Sequence, residues 1–128
     1  MMRMSAAPGF HVLNKGPGGS IQCDWAVDND GGAGRIVLRV INQTMGRNIA
    51  QSPVFLVPAG AVDFPLSVDV IGLTENVGAV QGANNMILEA ENLDTGQLVP
   101  GGSHLFTMNF TVTASGPIFV MVGSPTIV

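Results

Sequence analysis

The sequence predicts an all-β domain, an antiparallel two-sheet sandwich of the Ig-like or jelly-roll kind with about seven to nine short strands. Three observations predict it. Apolar and polar residues alternate with a period of two in several separate stretches, the signature of half-buried strands. Clusters of Gly, Pro, Asn and Asp interrupt those stretches at close spacing, as turns between strands require. No window long enough for a helix carries the helical spacing of apolar residues.

The elements follow in order. Residues 1–20 are rich in Gly, Pro and small side chains, with one apolar patch at Phe10 to Leu13; they read as an extended amino-terminal arm. Residues 21–128 read as the single sandwich domain. Ile21, Cys23, Trp25 and Val27 alternate with Gln22, Asp24 and Asp28, and the turn-forming run Asp28 to Gly34 precedes a β-branched stretch, Arg35 to Asn42. Together these predict a hairpin. Gln43 to Ser52 is looser, and the short run Val54 to Val57 ends at Pro58-Ala59-Gly60.

The cleanest alternation comes next: Val62, Phe64, Leu66, Val68 and Val70 against Asp63, Pro65, Ser67 and Asp69. Proline cannot donate to a ladder, so Pro65 places this strand at an edge or a bulge. Residues 71–84 form a connection without clear period. Met86, Leu88 and Ala90 alternate with Ile87, Glu89 and Glu91, and Asn92 to Gly96 makes the following turn. Gln97 to Val99 is interrupted by Pro100-Gly101-Gly102 before Phe106, Met108, Phe110 and Val112 resume the pattern. Ser115-Gly116-Pro117 leads into the apolar run Ile118 to Val122, and Thr126 to Val128 closes the sequence. The aromatic side chains fall mostly in the inward phase and are consumed by the core.

Composition narrows the function. Charged residues make up 11% of the 128, against roughly 25% in a typical soluble domain. An under-charged surface suits either a membrane or a covering of partner proteins. No apolar run approaches the ~20 residues of a spanning helix, and the amino end lacks the apolar segment of a secretory leader, so assembly is the expectation. All five basic residues (Arg3, Lys15, Arg35, Arg39, Arg47) precede residue 48, and no charged residue follows Asp94. Nucleic-acid binding needs clustered Lys and Arg and is disfavoured. Opposite ends of unlike charge would suit a head-to-tail oligomer. The one cysteine, Cys23, permits no intrachain disulfide and reads as a small buried hydrophobe.

Candidate chemistry is sparse. Leu93-Asp94-Thr95-Gly96 carries the Asp-Thr-Gly of aspartic proteases, which work through two carboxylates sharing a proton. Here Gln97 follows where Ser or Ala is usual, and the tripeptide serves equally well as a hairpin turn. Asp28-Asn29-Asp30-Gly31 resembles a calcium loop, but the twelfth position is Arg39 rather than Glu, and a solvated turn is the simpler reading. His11 and His104, the two histidines, lack the spacing of a metal pair or triad and read as arm and loop residues. No catalytic residue, metal ligand or cofactor is therefore expected.

A Gly-, Thr- and Val-rich β-domain without tyrosine and with no recognisable leader resembles the accessory virion proteins of tailed bacteriophages. These include capsid decoration (cement) proteins and Ig-like or jelly-roll head and tail components. The resemblance implies a structural virion protein, assembled in the host cytoplasm, that binds neighbouring capsid subunits. The major capsid protein would be its partner, and it would form a homo-oligomer, with a trimer as one arrangement. Neither nucleic acid nor membrane enters that expectation. On this reading the contact residues are Phe10, Val12 and Leu13 of the arm and Ile118, Val120, Val122, Ile127 and Val128 of the uncharged carboxyl end. A carbohydrate- or ligand-binding sandwich is the alternative, and a small aspartic-type protease using Asp94 is a second.

Overall fold

Ten strands form over residues 1–14, 19–73, 80–113 and 116–127, which the computed structural model describes. They are β1 (Met2–Met4), β2 (Gly9–Asn14), β3 (Gly19–Asn29), β4 (Gly34–Asn42), β5 (Arg47–Gln51), β6 (Phe55–Val57), β7 (Phe64–Leu73), β8 (Gly82–Asn92), β9 (Gln97–Thr113) and β10 (Gly116–Ile127). Every pairing among them is antiparallel. The expected two-sheet sandwich is what they build.

In the first sheet β3 is central. It pairs with β7 along one side, while β1 and β2 share the other, β1 opposite Val27 to Asn29 and β2 opposite Ser20 to Asp24. The second sheet runs β10-β9-β8-β4, and the far side of β4 is divided between β5 and β6. Ser52 makes that division possible. Its backbone N–H donates to the Leu38 carbonyl at 2.9 Å, and its Oγ accepts the Leu38 N–H at 2.8 Å. The chain can then leave the ladder at Pro53, which has no N–H to satisfy.

The period of two supplies the core. Ile21, Cys23, Trp25 and Val27 of β3 and Leu66, Val68 and Val70 of β7 meet Ile36, Leu38, Val40, Met86, Leu88 and Phe106 of the second sheet, all buried. A fully buried side chain of this size contributes about 1.5–3 kcal/mol. The layer between the sheets is therefore the main source of stability.

Three expectations change. The segment 1–20 is extended, but over its described residues it lies along its own domain rather than reaching away. Met2 is 6% exposed and part of the core, and β2 runs beside β3. The apolar phase of Met2, Met4 and Phe10 matches that of β3, and burying it outweighs the local Gly and Pro content. Second, Asp28 to Gly34 does not close a hairpin: β3 and β4 belong to different sheets. The buried Asn29 side chain fixes this crossing by donating to the carbonyls of Gly32 at 3.0 Å and Pro58 at 3.2 Å and accepting the Gly31 N–H at 3.0 Å. Third, Pro100-Gly101-Gly102 does not end a strand. Glu91 pairs with Leu98 and Glu89 with Ser103, so the chain bulges out and returns to the same ladder. A Cβ on Gly102 would lie 2.6 Å from the Val99 carbonyl oxygen and 2.9 Å from that of Ala90, which is why glycine stands there. Pro65 does sit on an edge, since β7 pairs with β3 alone among the described strands.

Candidate functional site

The outward face of the second sheet is the most distinctive surface. Alternation that turns Ile36, Leu38 and Val40 inward turns Arg35, Val37, Arg39 and Ile41 outward. At one end the charges are matched across strands. Arg35 bonds Asp94 through its backbone N–H (3.0 Å), Nε (2.9 Å) and a second guanidinium nitrogen (2.9 Å). Arg39 pairs with Glu91 and donates to Gln51 at 3.2 Å. Beside them Val37 is 1% exposed although it lies outside the main core cluster. Further along, the register sets Ile41 opposite Ile87 and Ile87 opposite Leu105, an apolar row across three strands. Leu56, opposite Arg35, and Leu98, opposite Glu91, share the face and are 67% and 45% exposed.

Asp94 lies in the turn between β8 and β9, as expected. Its bonds to Arg35 hold the carboxyl below its ordinary value, with the guanidinium hydrogen bond the larger cause and the backbone one next. Its side chain is 44% exposed. A carboxylate so placed keeps its charge and anchors the turn, whereas an aspartic protease needs one that shares a proton in a sheltered pair. Asp28, in the run that resembles a calcium loop, accepts the Asp63 N–H at 2.8 Å and so supports the left-handed turn at Asp63 (φ 50°). Asp30 pairs with the Met1 amine. No group of three or more metal-ligating side chains occurs among the described residues.

Both histidines are strand residues. His11 lies on β2 with Nε2 3.0 Å from Asp24 Oδ2, on the exposed face of the first sheet. His104 lies on β9 and is fully buried; its in-phase neighbours Phe106 and Met108 gave a signal that the alternation extends back to it. Cys23 is buried as expected, its thiol pushed up to about 12 by desolvation, with the nearby Asp24 and Asp69 charges adding to the effect.

The expected contact residues are dispersed. Phe10 is half-buried, its ring centroid 4.5 Å from that of Phe106, and so is engaged with the domain's own core. Val12 pairs with Ile21, and Leu13 falls at a register shift in β2. Ile118, Val120 and Val122 of β10 pair with Thr111, Asn109 and Thr107, and Ile127 pairs with His104. Val128 lies outside the described residues. Two shallow cavities accompany these surfaces. One of about 300 Å³ is bordered by Met2, Leu98 and Pro100. The other, about 400 Å³, opens between β5–β6 and β7 beside Gln51, Phe55, Ser67 and Asp69.

No protein-family model matches the chain, and no curated protein sequence does. Among solved structures it is similar to a candidate beta-galactosidase from Bacteroides fragilis, at 14% identity and a TM-score of 0.50, over 92% of this chain and 19% of that one. A likeness at that identity is one of fold, and it agrees with the sandwich. The chain spans about a fifth of the length of that protein.

Proposed function

We infer that this domain acts by contact: a structural β-sandwich that stabilises a larger assembly by lying against neighbouring subunits. Capsid decoration of a phage head is the form this takes, with the major capsid protein as partner and the virion as its location. The observation that supports it is the apolar row Ile41–Ile87–Leu105 on the outward face of the second sheet, with exposed Leu56 and Leu98 at the other end of the same face. Such a row gains from being covered, and the arginines beside it already have carboxylate partners within the domain. A protein partner therefore fits it better than a nucleic acid or an acidic ligand. Edge strands β7 and β10 add main-chain donors and acceptors that an incoming strand can use.

Deleting residues 2–14 would be an ambiguous test, because Met2 and Phe10 belong to the fold. Leu105→Asp is cleaner. Burying this side chain at an interface is worth about 1.5 kcal/mol or more, so the substitution is expected to weaken co-sedimentation with parent capsids about tenfold. Unchanged binding, with the variant folded by circular dichroism, overturns the contact face.

A second reading draws on the likeness to a segment of a candidate beta-galactosidase and on the cavity beside Phe55: a ligand-binding sandwich module. Trp25 offers that reading nothing, being 5% exposed with its Nε1 donating to the Ala6 carbonyl at 2.7 Å. A glycan screen separates the two.

A further inference from the structure

Between the sheets lies one side chain that the contact reading does not use. The His104 ring is enclosed, and among the described residues neither Nδ1 nor Nε2 has a hydrogen-bond partner. Buried polar atoms are nearly always paired. Leu88 lies directly opposite on β8, Val40 follows on β4, and Ile127 is the backbone partner on β10. Trp25 of β3 meets the imidazole edge to face, ring centroids 5.8 Å apart and planes at 83°.

No charge faces this ring from any strand around it. On β9 His104 is the sole ionisable residue, and β10 has none. Arg35 and Arg39 of β4 and Glu89 and Glu91 of β8 fall in the outward phase. So do Arg3 of β1, His11 of β2, Asp24 and Asp28 of β3, and Asp69 of β7. Among the described residues the other titratable group between the sheets is the Cys23 thiol, neutral well above pH 7.

We propose that His104 makes the sandwich acid-sensitive: a proton on its ring places an unpaired charge between the sheets and opens the domain around β9 and Trp25. The neutral ring fits the apolar layer at a modest cost, whereas the imidazolium has, among the described residues, neither carboxylate nor carbonyl to receive its N–H groups. Burial correspondingly depresses its proton affinity below the ordinary 6.5. The sign follows from linkage. As pH falls through about 6.5 the unfolded chain takes up a proton that the folded chain refuses, so stability is lost from there down to the folded-state value. The inference stands independently of what partner the domain contacts.

Trp25, the single tryptophan, reports the event. Urea unfolding of the full chain, followed by its fluorescence between about pH 7.5 and pH 5, is expected to show the folding equilibrium constant falling by up to about tenfold per pH unit. His104→Phe should flatten that dependence. Retention of the full dependence in His104→Phe overturns the proposal. Should that variant not fold, the wild-type ring followed by NMR decides alone. A His104 midpoint below the ordinary imidazole value supports the proposal; a midpoint at that value overturns it.

Discussion

The two outward faces of the sandwich are built from the same alternation and carry different chemistry. On the first sheet Gln22, Asp24, Asp28, Ser67 and Asp69 stand outward with Arg3 and His11, an acidic and solvated surface. On the second, Arg35 and Arg39 are matched to Asp94 and Glu91 across strands, leaving an apolar row, Ile41–Ile87–Leu105, beside them. The difference teaches where a low charge content is concentrated. Arg35 and Arg39 of the second sheet are consumed within the domain, and beyond them and Glu89 the face turns apolar.

Three substitutions probe that comparison. Leu88→Ala attacks the layer both faces rest on. Its side chain is 0% exposed, and the cavity should cost about 3 kcal/mol, read as a lower urea midpoint with loss of order on both faces together. Arg39→Ala breaks the second face alone. It leaves Glu91 without its partner and thins the cover over Val37, so a loss of about 1 kcal/mol is expected, with the first sheet's amide exchange unchanged. Asp94→Asn is the mildest. It removes the charge that Arg35 binds at an exposed turn, and a small fall in Tm is expected, shrinking further in high salt. The pH dependence has a defined sign. Because the Asp94 carboxyl is held below its ordinary 3.8, its contribution is present above that pH and lost as pH falls through it towards the folded-state value. The Asp94→Asn variant should lack that part of the acid sensitivity, which lies well below the pH range in which His104 acts.

Much of this was legible in the sequence, for a physical reason. Strand identity and inward phase are local properties, so β3, β7, β8 and the turn at Asn92 to Gly96 follow from alternation and turn residues. Connectivity is not local. Nothing in Asp28 to Gly34 distinguishes a turn that rejoins one sheet from a crossing between two; the deciding bonds run from Asn29 to Gly32 and to the distant Pro58. The docking of β1 and β2 against β3 is hidden for the same reason, since Gly and Pro in the segment mask an alternation that only a remote partner makes useful. His104 could be placed by extending the phase of Phe106 and Met108 back across the glycines. Its lack of a partner could not, because that depends on what four other strands bring to the same place. The apolar row is likewise a product of register: Ile41, Ile87 and Leu105 are ordinary when read separately.

The close approach of β1 to the bulge of β9 bears on how the domain is made. A Cβ on Gly101 would lie 3.5 Å from the Cβ of Met4, so a strand synthesised early in this domain meets one synthesised late. Residues far apart in sequence must find each other before either is sheltered, which slows folding of β-rich domains. Met2 and Met4 can pair with β3 early, but the cover that β9 supplies comes only after roughly a hundred further residues. Closure of this sandwich therefore waits on β9, and conditions that delay it leave the apolar side of β1 open to other chains.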